Sequence, residues 1–452
     1  MLTQLLTIAR NTFIESVRQP IVFILILIAG LIQVLNTWST AYSMDNDVIG
    51  PLTGDNKLLF DFSLGTIFVL GTVLAGFVAT AVISREIENK TVLTIVSKPV
   101  GRVTLILGKF LGVTTCVVIS TIAMLVFLLL ALRHGVMSTA ADELDGPVLV
   151  FGLGAIALAM GLAAWCNYFY GWNFPQTMVV LMVPFLVLGY VGVLLLDKKW
   201  ALQPITHDLQ PQILIACSCL LMAVLVLCAV ATAASTRLGQ VMTIVVCVGV
   251  FLLALLSNYL FGRFVFSNTL IGTVTSVTSP DPAKAAFDEP GDTLVIDLER
   301  PPDESLRAGD PFYYSPSPNG FPMIPRATYP GIKGKLDDAT ALLGPQAPSS
   351  IVITSIDGKT LTVRNVGATP VPIYRAPEQG DYVFHAQTHI HPVPLVLWGA
   401  LPNLQFFWML DAITQIRAIP PLYVGLVGVY SLAQIGAFLS LGVILFQGRD
   451  VG

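Results

Sequence analysis

Three of the five histidines in this 452-residue chain lie close together. They are His385, His389 and His391, in the run FHAQTHIHP. Side chains two residues apart on a β-strand share one face, so a strand here would place all three imidazoles on the same side. Imidazole nitrogens bind copper and zinc. The alternative is a polar strand near a membrane surface. We therefore predict no resident metal, and these three histidines are the candidates if one is bound.

A second group of functional side chains is the charged segment 84–102, which reads SREIENKTVLTIVSKPVGR. Residues 84–97 have the spacing of a short helix, and Pro99 should end it because the residue before a proline avoids the helical region. Such a helix between two membrane spans would be a rigid lever, so that a partner pressing on it moves both spans. The alternative is an ordinary charged loop that fixes the topology.

Sequence motifs for nucleotide binding and hydrolysis are absent. There is no G-x-x-x-x-G-K-[ST] phosphate loop, and the run GIKGK at 331–335 has the wrong spacing. G-x-S-x-G and H-E-x-x-H are absent as well. We predict that the chain is not an enzyme, has no catalytic residues and holds no cofactor of its own.

The elements that position these residues belong to a membrane protein. Hydrophobic residues make up 54% of the chain and charged residues 12%, with a mean hydropathy of +0.76. This composition excludes an ordinary soluble enzyme, and the net charge of −4 does not suggest nucleic-acid binding. Residues 1–19 have the spacing of an amphipathic helix lying in the membrane interface. About eight runs are long enough to span a bilayer: 20–38, 60–83, 104–132, 147–168, 177–196, 212–234, 240–262 and 421–446.

One polar region interrupts this framework. Residues 263–395 hold 10 of the 24 lysines and arginines, 14 of the 28 acidic residues and 18 of the 29 prolines. Strand patterns occur at 293–298, 351–366, 371–374 and 382–390, and the Asp357-Gly358 pair predicts a hairpin turn. The predicted fold is an α-helical polytopic membrane protein with an inserted small all-β extracytoplasmic domain. The predicted domains are 1–262, 263–395, and 396–452, which comprises an interfacial segment and the last span.

Lysines and arginines predict the orientation, since they concentrate in cytoplasmic loops. With eight spans, both chain ends and the 84–102 loop lie on the more basic side. Acidic residues dominate the opposite loops. We therefore expect a multi-pass protein of the cell (inner) membrane, with both termini in the cytoplasm and the insert outside.

The segment around the first basic loop resembles the cytoplasmic coupling region of ABC-transporter permeases of the type-2 export class. The matching run is ISREIENKTVLTIVSKPVGRVTLILGKFLG, residues 83–112. Weaker similarity covers 7–30, the small-residue turn 230–241 and the ending FQGRDV. The insert departs from the family pattern, in which outer loops are short. The resemblance implies ATPase-coupling residues at these positions: Arg85, Glu86, Glu88, Thr91, Lys98, Pro99, Arg102 and Arg237.

The resemblance further implies a separate ABC ATPase subunit that binds the ATP, and a homodimer or a second permease subunit. Charges are absent from 111–132, 148–166, 177–196 and 212–234, which argues against an ion-driven carrier. Such spans suit a hydrophobic or amphipathic cargo, such as a lipid, but also suit spans that only pack together. Two other functions stay open: an anchored assembly protein whose β domain binds an extracytoplasmic partner, and a metalloprotein that uses the histidine cluster.

Overall fold

The computed structural model describes most residues of the chain. These are 2–40, 54–84, 101–137, 143–280, 289, 291–302, 306–316, 336, 338, 342–344, 349–367, 376–414 and 418–447. The chain divides into two compact units. Met1–Leu255 and Leu404–Gly452 form the first, and Leu256–Asn403 form the second. The predicted domain boundaries at 262/263 and 395/396 therefore fall inside the second unit.

The first unit is a helical bundle preceded by a shorter helix, α1 (Leu2–Val17). Its long helices are α2 (Pro20–Ser39), α3 (Asp55–Val82), α4 (Arg102–His134), α5 (Gly146–Tyr170), α6 (Phe174–Leu194), α7 (Pro211–Ser235), α8 (Gln240–Leu255) and, after the second unit, α12 (Pro421–Gln447). Within the described residues, seven helices are long and apolar enough to cross a membrane. An eighth span results if α8 is counted with the short α9 (Ser257–Leu260) and the residues up to Phe264. The predicted fold class is thereby confirmed, although the predicted span 240–262 is broken after Leu255.

Local sequence explains where several of these helices begin and end. Proline occupies the first turn of α2, α5, α6, α7 and α12, where its missing N–H has no helical acceptor in any case. Asp145 caps α5 by accepting from the Val148 N–H at 3.1 Å. At its other end, α5 stops at Gly171, whose φ of +66° is readily adopted only by glycine.

Helices α3, α4 and α7 form the buried centre of the bundle, while α5 and α12 are mostly exposed. Glycines permit the closest approach between helices. Gly108 and Gly112 on α4 face α1, and a Cβ at Gly112 would lie 2.5 Å from both the Ala9 oxygen and the Thr12 Cβ. This G-x-x-x-G spacing places two small residues on one helical face. It explains why the residues that α1 buries are the small Thr12 and Ser16, together with Val17.

The second unit contains a six-stranded antiparallel sheet in the order β3-β6-β1-β2-β5-β4. Its strands are β1 (Phe266–Thr278), β2 (Thr293–Leu298), β3 (Tyr313–Ser315), β4 (Ser350–Asp357), β5 (Thr360–Val366) and β6 (Tyr382–Ile390). Alternate residues of β2, including Leu294 and Ile296, enter a core separate from that of the bundle. Strand β6 is followed by α10 (Pro392–Ala400), which also belongs to the second unit. The next elements, a 3₁₀ turn (Leu404–Phe407) and α11 (Leu410–Thr414), belong to the first unit.

The strand predictions are confirmed at 293–298 and 382–390, and the hairpin at 351–366 is confirmed with Gly358 at φ +57°. The predicted strand 371–374 lies outside the described residues. The long β1 was not predicted, because its sequence FSNTLIGTVTSVT contains glycine, asparagine and serine and lacks alternating hydrophobicity. The apolar run 394–416 is predicted as an interfacial segment, and its described part, 394–414, forms short helical pieces rather than a span.

Candidate functional site

The charged segment 85–100 connects Ser84, at the end of α3, with Gly101, which precedes α4. Its predicted coupling residues Arg85, Glu86, Glu88, Thr91, Lys98 and Pro99 lie outside the described residues. The helix ends that hold the loop are described. We call the end of the bundle that contains Ser84, Gly101, Ser235 and Gln447 the basal end, and the opposite end the distal end.

Ser84 ties the departing end of the loop to the turn between α7 and α8. Its buried hydroxyl lies 3.1 Å from the Ser235 carbonyl oxygen and 2.5 Å from that of Leu238, so its one proton is shared between two acceptors. The last carbonyls of an α-helix have no partner within the helix. Ser84 therefore stabilises the end of α7 and fixes it to the end of α3.

Arg102 and Arg237, the two coupling residues that the structure describes, meet at one place. Arg102 Nη1 donates to the Gln447 carbonyl at 2.9 Å, and Arg237 Nε donates to the Leu445 carbonyl at 2.7 Å. Both acceptors belong to the last turn of α12, where the helix dipole favours cations. The start of α4 and the α7–α8 turn are thus both attached to the end of the last helix. The sequence analysis selected these arginines but did not predict that both bind the last turn of α12.

Lys109 adds a buried cation to the basal end. A lysine this close to the start of the predicted span 104–132 could reach the membrane interface, but the side chain of Lys109 is only 3% exposed. Its Nζ donates to the Val82 carbonyl at 3.3 Å, at the C-terminal end of α3. A cation at this position complements the dipole of α3. Together these contacts connect α3, α4, α7 and α12 around the base of the loop.

The distal end contains an ionic cluster that the sequence analysis did not predict. Arg133 Nη1 donates to Asp145 Oδ2 at 2.8 Å, and Arg133 Nε lies 2.8 Å from Asp208 Oδ2 in a charge contact without hydrogen-bond alignment. Asp208 also accepts from Gln203 and contacts His207. Burial acts to raise the pKa of Asp208, but these hydrogen bonds and the charge of Arg133 outweigh it and lower the pKa below the ordinary value.

The histidine candidates belong to the second unit. His389 lies opposite Ser267 in the β1–β6 ladder, and His391 Nε2 lies 2.9 Å from Ser267 Oγ. Both side chains are exposed, and the side chain of His385 is outside the described residues. Among the described residues no group of three His, Cys, Asp or Glu side chains could hold a metal ion. The three-histidine site stays an untested prediction.

Comparison with protein families gives a match over the first part of the bundle. Residues 6–169 match the family described as ABC-2 family transporter protein. This match supports an ABC-2 type permease. The matched range runs from α1 into α5 and includes the loop at the basal end. No curated protein and no solved structure matches the chain.

The family gives the permease a coarse function. ABC-2 permeases are the membrane components of ABC transporters, generally without an ATP-binding site, and they require an ABC ATPase as partner. The sequence agrees, because no phosphate-loop motif is present. The apolar helices and the family together make the permease a multi-pass membrane protein. The matched range ends before the β-sheet unit.

Proposed function

We propose that a separate ABC ATPase docks on segment 84–102, and on the adjoining α7–α8 turn, and thereby drives this permease. The observation behind the proposal is the set of ties around that loop. Ser84, Arg102, Arg237 and Lys109 connect the ends of α3, α4, α7 and α12. Displacing the loop therefore displaces four helices, two of which, α3 and α4, adjoin the loop directly.

The distribution of charge supports a cytoplasmic basal end. Arg18, Arg102 and Arg237 lie there, and the loop adds Arg85, Lys90 and Lys98. The distal end carries Asp55, Asp145, Asp197 and Asp208, which offset the nearby Lys57, Lys198 and Lys199, and its Arg133 is paired inside the ionic cluster. Because basic residues favour the cytoplasmic side, this distribution supports a cytoplasmic location for both chain ends. Leu255 and Leu404, the residues of the first unit that border the inserted Leu256–Asn403 unit, lie towards the distal end of the bundle, which supports an extracytoplasmic location for the insert.

The helices suit export or extraction of a hydrophobic or amphipathic substrate. Their central segments contain no charged groups that could bind an ion or a charged solute.

We further propose that two permease subunits act together. The exposed helix α12 supports this, because Gly425, Gly428 and Gly436 have no atom from another part of the described chain within 4 Å of a Cβ position. Small residues on an exposed membrane helix permit close helix–helix contact.

Co-purification tests ATPase docking. The tagged permease is co-expressed with each ABC ATPase of the source organism in turn and isolated in detergent. The double variant Glu86→Arg, Glu88→Arg should lose the ATPase that the wild type retains. The double variant Asp45→Arg, Asp47→Arg is the matched control, because it makes the same charge change in the loop between α2 and α3 and should retain the ATPase. Loss in both variants, or in neither, contradicts docking on segment 84–102.

A second function is favoured by the separate core of the Leu256–Asn403 unit. In this alternative the permease framework is an anchor, and the β-sheet unit binds an extracytoplasmic partner. Deleting 265–395 separates the two functions. Loss of the cellular function with unchanged ATPase binding and hydrolysis favours the anchored-assembly role, whereas loss of coupled hydrolysis favours the transport role.

A further inference from the structure

A cleft of about 380 Å³ lies between α2, α4 and α5 in the distal half of the bundle. This volume is within the range of small-molecule sites. Its walls are almost wholly apolar and include Leu27, Gly30, Phe127, Gly152 and Ile156. Large exposed side chains lie along its opening: Leu31, Val34, Leu149 and Leu153. In a membrane such an opening faces the lipid chains.

Gln33, a residue of this lining, has a buried side-chain oxygen without a hydrogen-bond partner in the described part of the chain. Gln33 is 1% exposed, and its Nε2 donates to the Ser63 carbonyl at 3.4 Å. Among the described residues, no donor reaches Gln33 Oε1. Only the amide nitrogen of Gln33 can donate to the Ser63 carbonyl, and this assigns the orientation of the amide. The amide oxygen is therefore the atom left without a hydrogen bond. A buried acceptor without a donor is costly, and a bound donor relieves that cost.

Polarity increases along the cleft towards the distal end. Leu27 and Phe127 line its deep part, whereas Thr37, Trp38 and His134 line its outer part. The α2 residues from 27 to 38 cover roughly 16 Å of helix, about half of the hydrocarbon thickness. Lysine, arginine, aspartate and glutamate are absent from the lining. The cleft therefore matches an uncharged amphiphile whose chain points to the membrane centre and whose head points to the distal end.

We propose that the cleft binds a single-chain amphiphile with a neutral hydroxyl group that donates to Gln33 Oε1. The inference deepens the proposed transport function, on which it rests, by naming the class of substrate. An anionic head group is disfavoured, because a carboxylate or phosphate would meet the Gln33 oxygen without a cation to balance it. A chain without a donor would leave that oxygen unsatisfied.

Photolabelling of the full-length permease in lipid nanodiscs tests the proposal without ATP or an ATPase. The probe is a long-chain alcohol with a diazirine in its chain, and labelled peptides of α2 and α5 are quantified by mass spectrometry. Unlabelled alcohol should compete about 3- to 10-fold better than its methyl ether, which has the same chain but no donor, as expected for one neutral hydrogen bond. In Gln33→Leu that difference should vanish.

Two glycines of α5 provide a matched pair for blocking the cleft. Gly152 lines the cleft, and a Cβ added there would have one described neighbour within 4 Å, Leu130 Cδ1 at 3.5 Å. A Cβ added at Gly154 would have no atom from another part of the described chain within 4 Å. Gly152→Phe should reduce labelling at least 10-fold, and Gly154→Phe should leave it unchanged. Equal labelling of the two variants overturns the proposal. Equal competition by alcohol and ether in the wild type does so as well, because the cleft then holds any lipid chain. Neither result affects ATPase docking, which the co-purification tests separately.

Discussion

Replacing Gly112 by leucine should separate α1 from α4. A Cβ at this position would lie 2.5 Å from the Ala9 oxygen and 2.5 Å from Thr12 Cβ. Carbon atoms in contact ordinarily lie about 3.5–4.0 Å apart, so the first added carbon alone requires a shift of about 1 Å. The Ala9 oxygen belongs to the backbone, so no side-chain rotation relieves the clash. Overpacking of this kind costs about 1–3 kcal/mol, which shifts the docked–undocked equilibrium of α1 by about 5- to 150-fold.

Thiol labelling measures this equilibrium directly. Thr12 is buried against α4, and Thr12→Cys introduces a smaller side chain at that contact. Five native cysteines are buried, and the half-buried Cys166 is replaced by alanine. In detergent, a hydrophilic maleimide should label Thr12→Cys slowly, and Gly112→Leu should accelerate the labelling by the factor given above. Gly161→Leu is the matched control, because no atom from another part of the described chain lies within 4 Å of a Cβ at this position of α5, and it should leave the rate unchanged.

Unchanged labelling of Thr12→Cys in the Gly112→Leu protein would refute the reasoning. It would mean that α1 does not pack on α4 through this glycine. Equal acceleration by Gly161→Leu would refute it too, since the effect would then come from a general loosening of the bundle.

Three further predictions concern stability, measured as the apparent Tm of the full chain in detergent. Asp145→Asn keeps the cap of α5 but removes the charge that pairs with Arg133, and it should lower the folding stability by about 3–5 kcal/mol, as for one partner of a buried ion pair. The double variant Arg133→Met, Asp145→Asn should lose less stability than the sum of the losses in the two single variants. The pKa of Asp208 is lower in the folded state than its unfolded value of about 3.9. The ionised carboxylate therefore contributes its full share of folding stability above the unfolded pKa, and this contribution is lost as the pH falls through the folded pKa. The Tm should therefore fall more steeply below about pH 4 in the wild type than in Asp208→Asn. In the β-sheet unit, Gly367→Ala should destabilise more than Gly380→Ala, since both have positive φ but only at Gly367 would the Cβ lie 2.5 Å from Ser349 Cα.

Much of the fold could be predicted because local sequence determines it. A membrane span is recognisable from hydropathy alone, since every residue on it meets lipid or other spans. The hairpin at 351–366 was equally local, because Gly358 takes the positive φ that the turn requires. Strand β1 was not predictable in this way. Its pairing with β2 and β6 comes from partners remote in sequence, which override a weak propensity of its own.

The candidate site was predictable in part. Charge and resemblance selected Arg102 and Arg237, but no local pattern places both on the last turn of α12. Arg102 and its acceptor Gln447 are 345 residues apart in the chain. The burial of Lys109 was missed for the same reason, since neighbouring helices rather than its position in α4 remove it from solvent. Likewise, the cleft beside Gln33 depends on how three helices leave a gap, which no single segment specifies.

Site-specific cross-linking tests ATPase docking most directly. A photoreactive amino acid is placed at Thr91 in the basal loop, and at Lys198 in the distal loop as the control, in the full permease co-expressed with its ATPase. Docking on segment 84–102 predicts a cross-link to the ATPase from position 91 and none from position 198. A cross-link from position 198 alone, or from neither position in a complex that co-purifies, would contradict the proposed docking site.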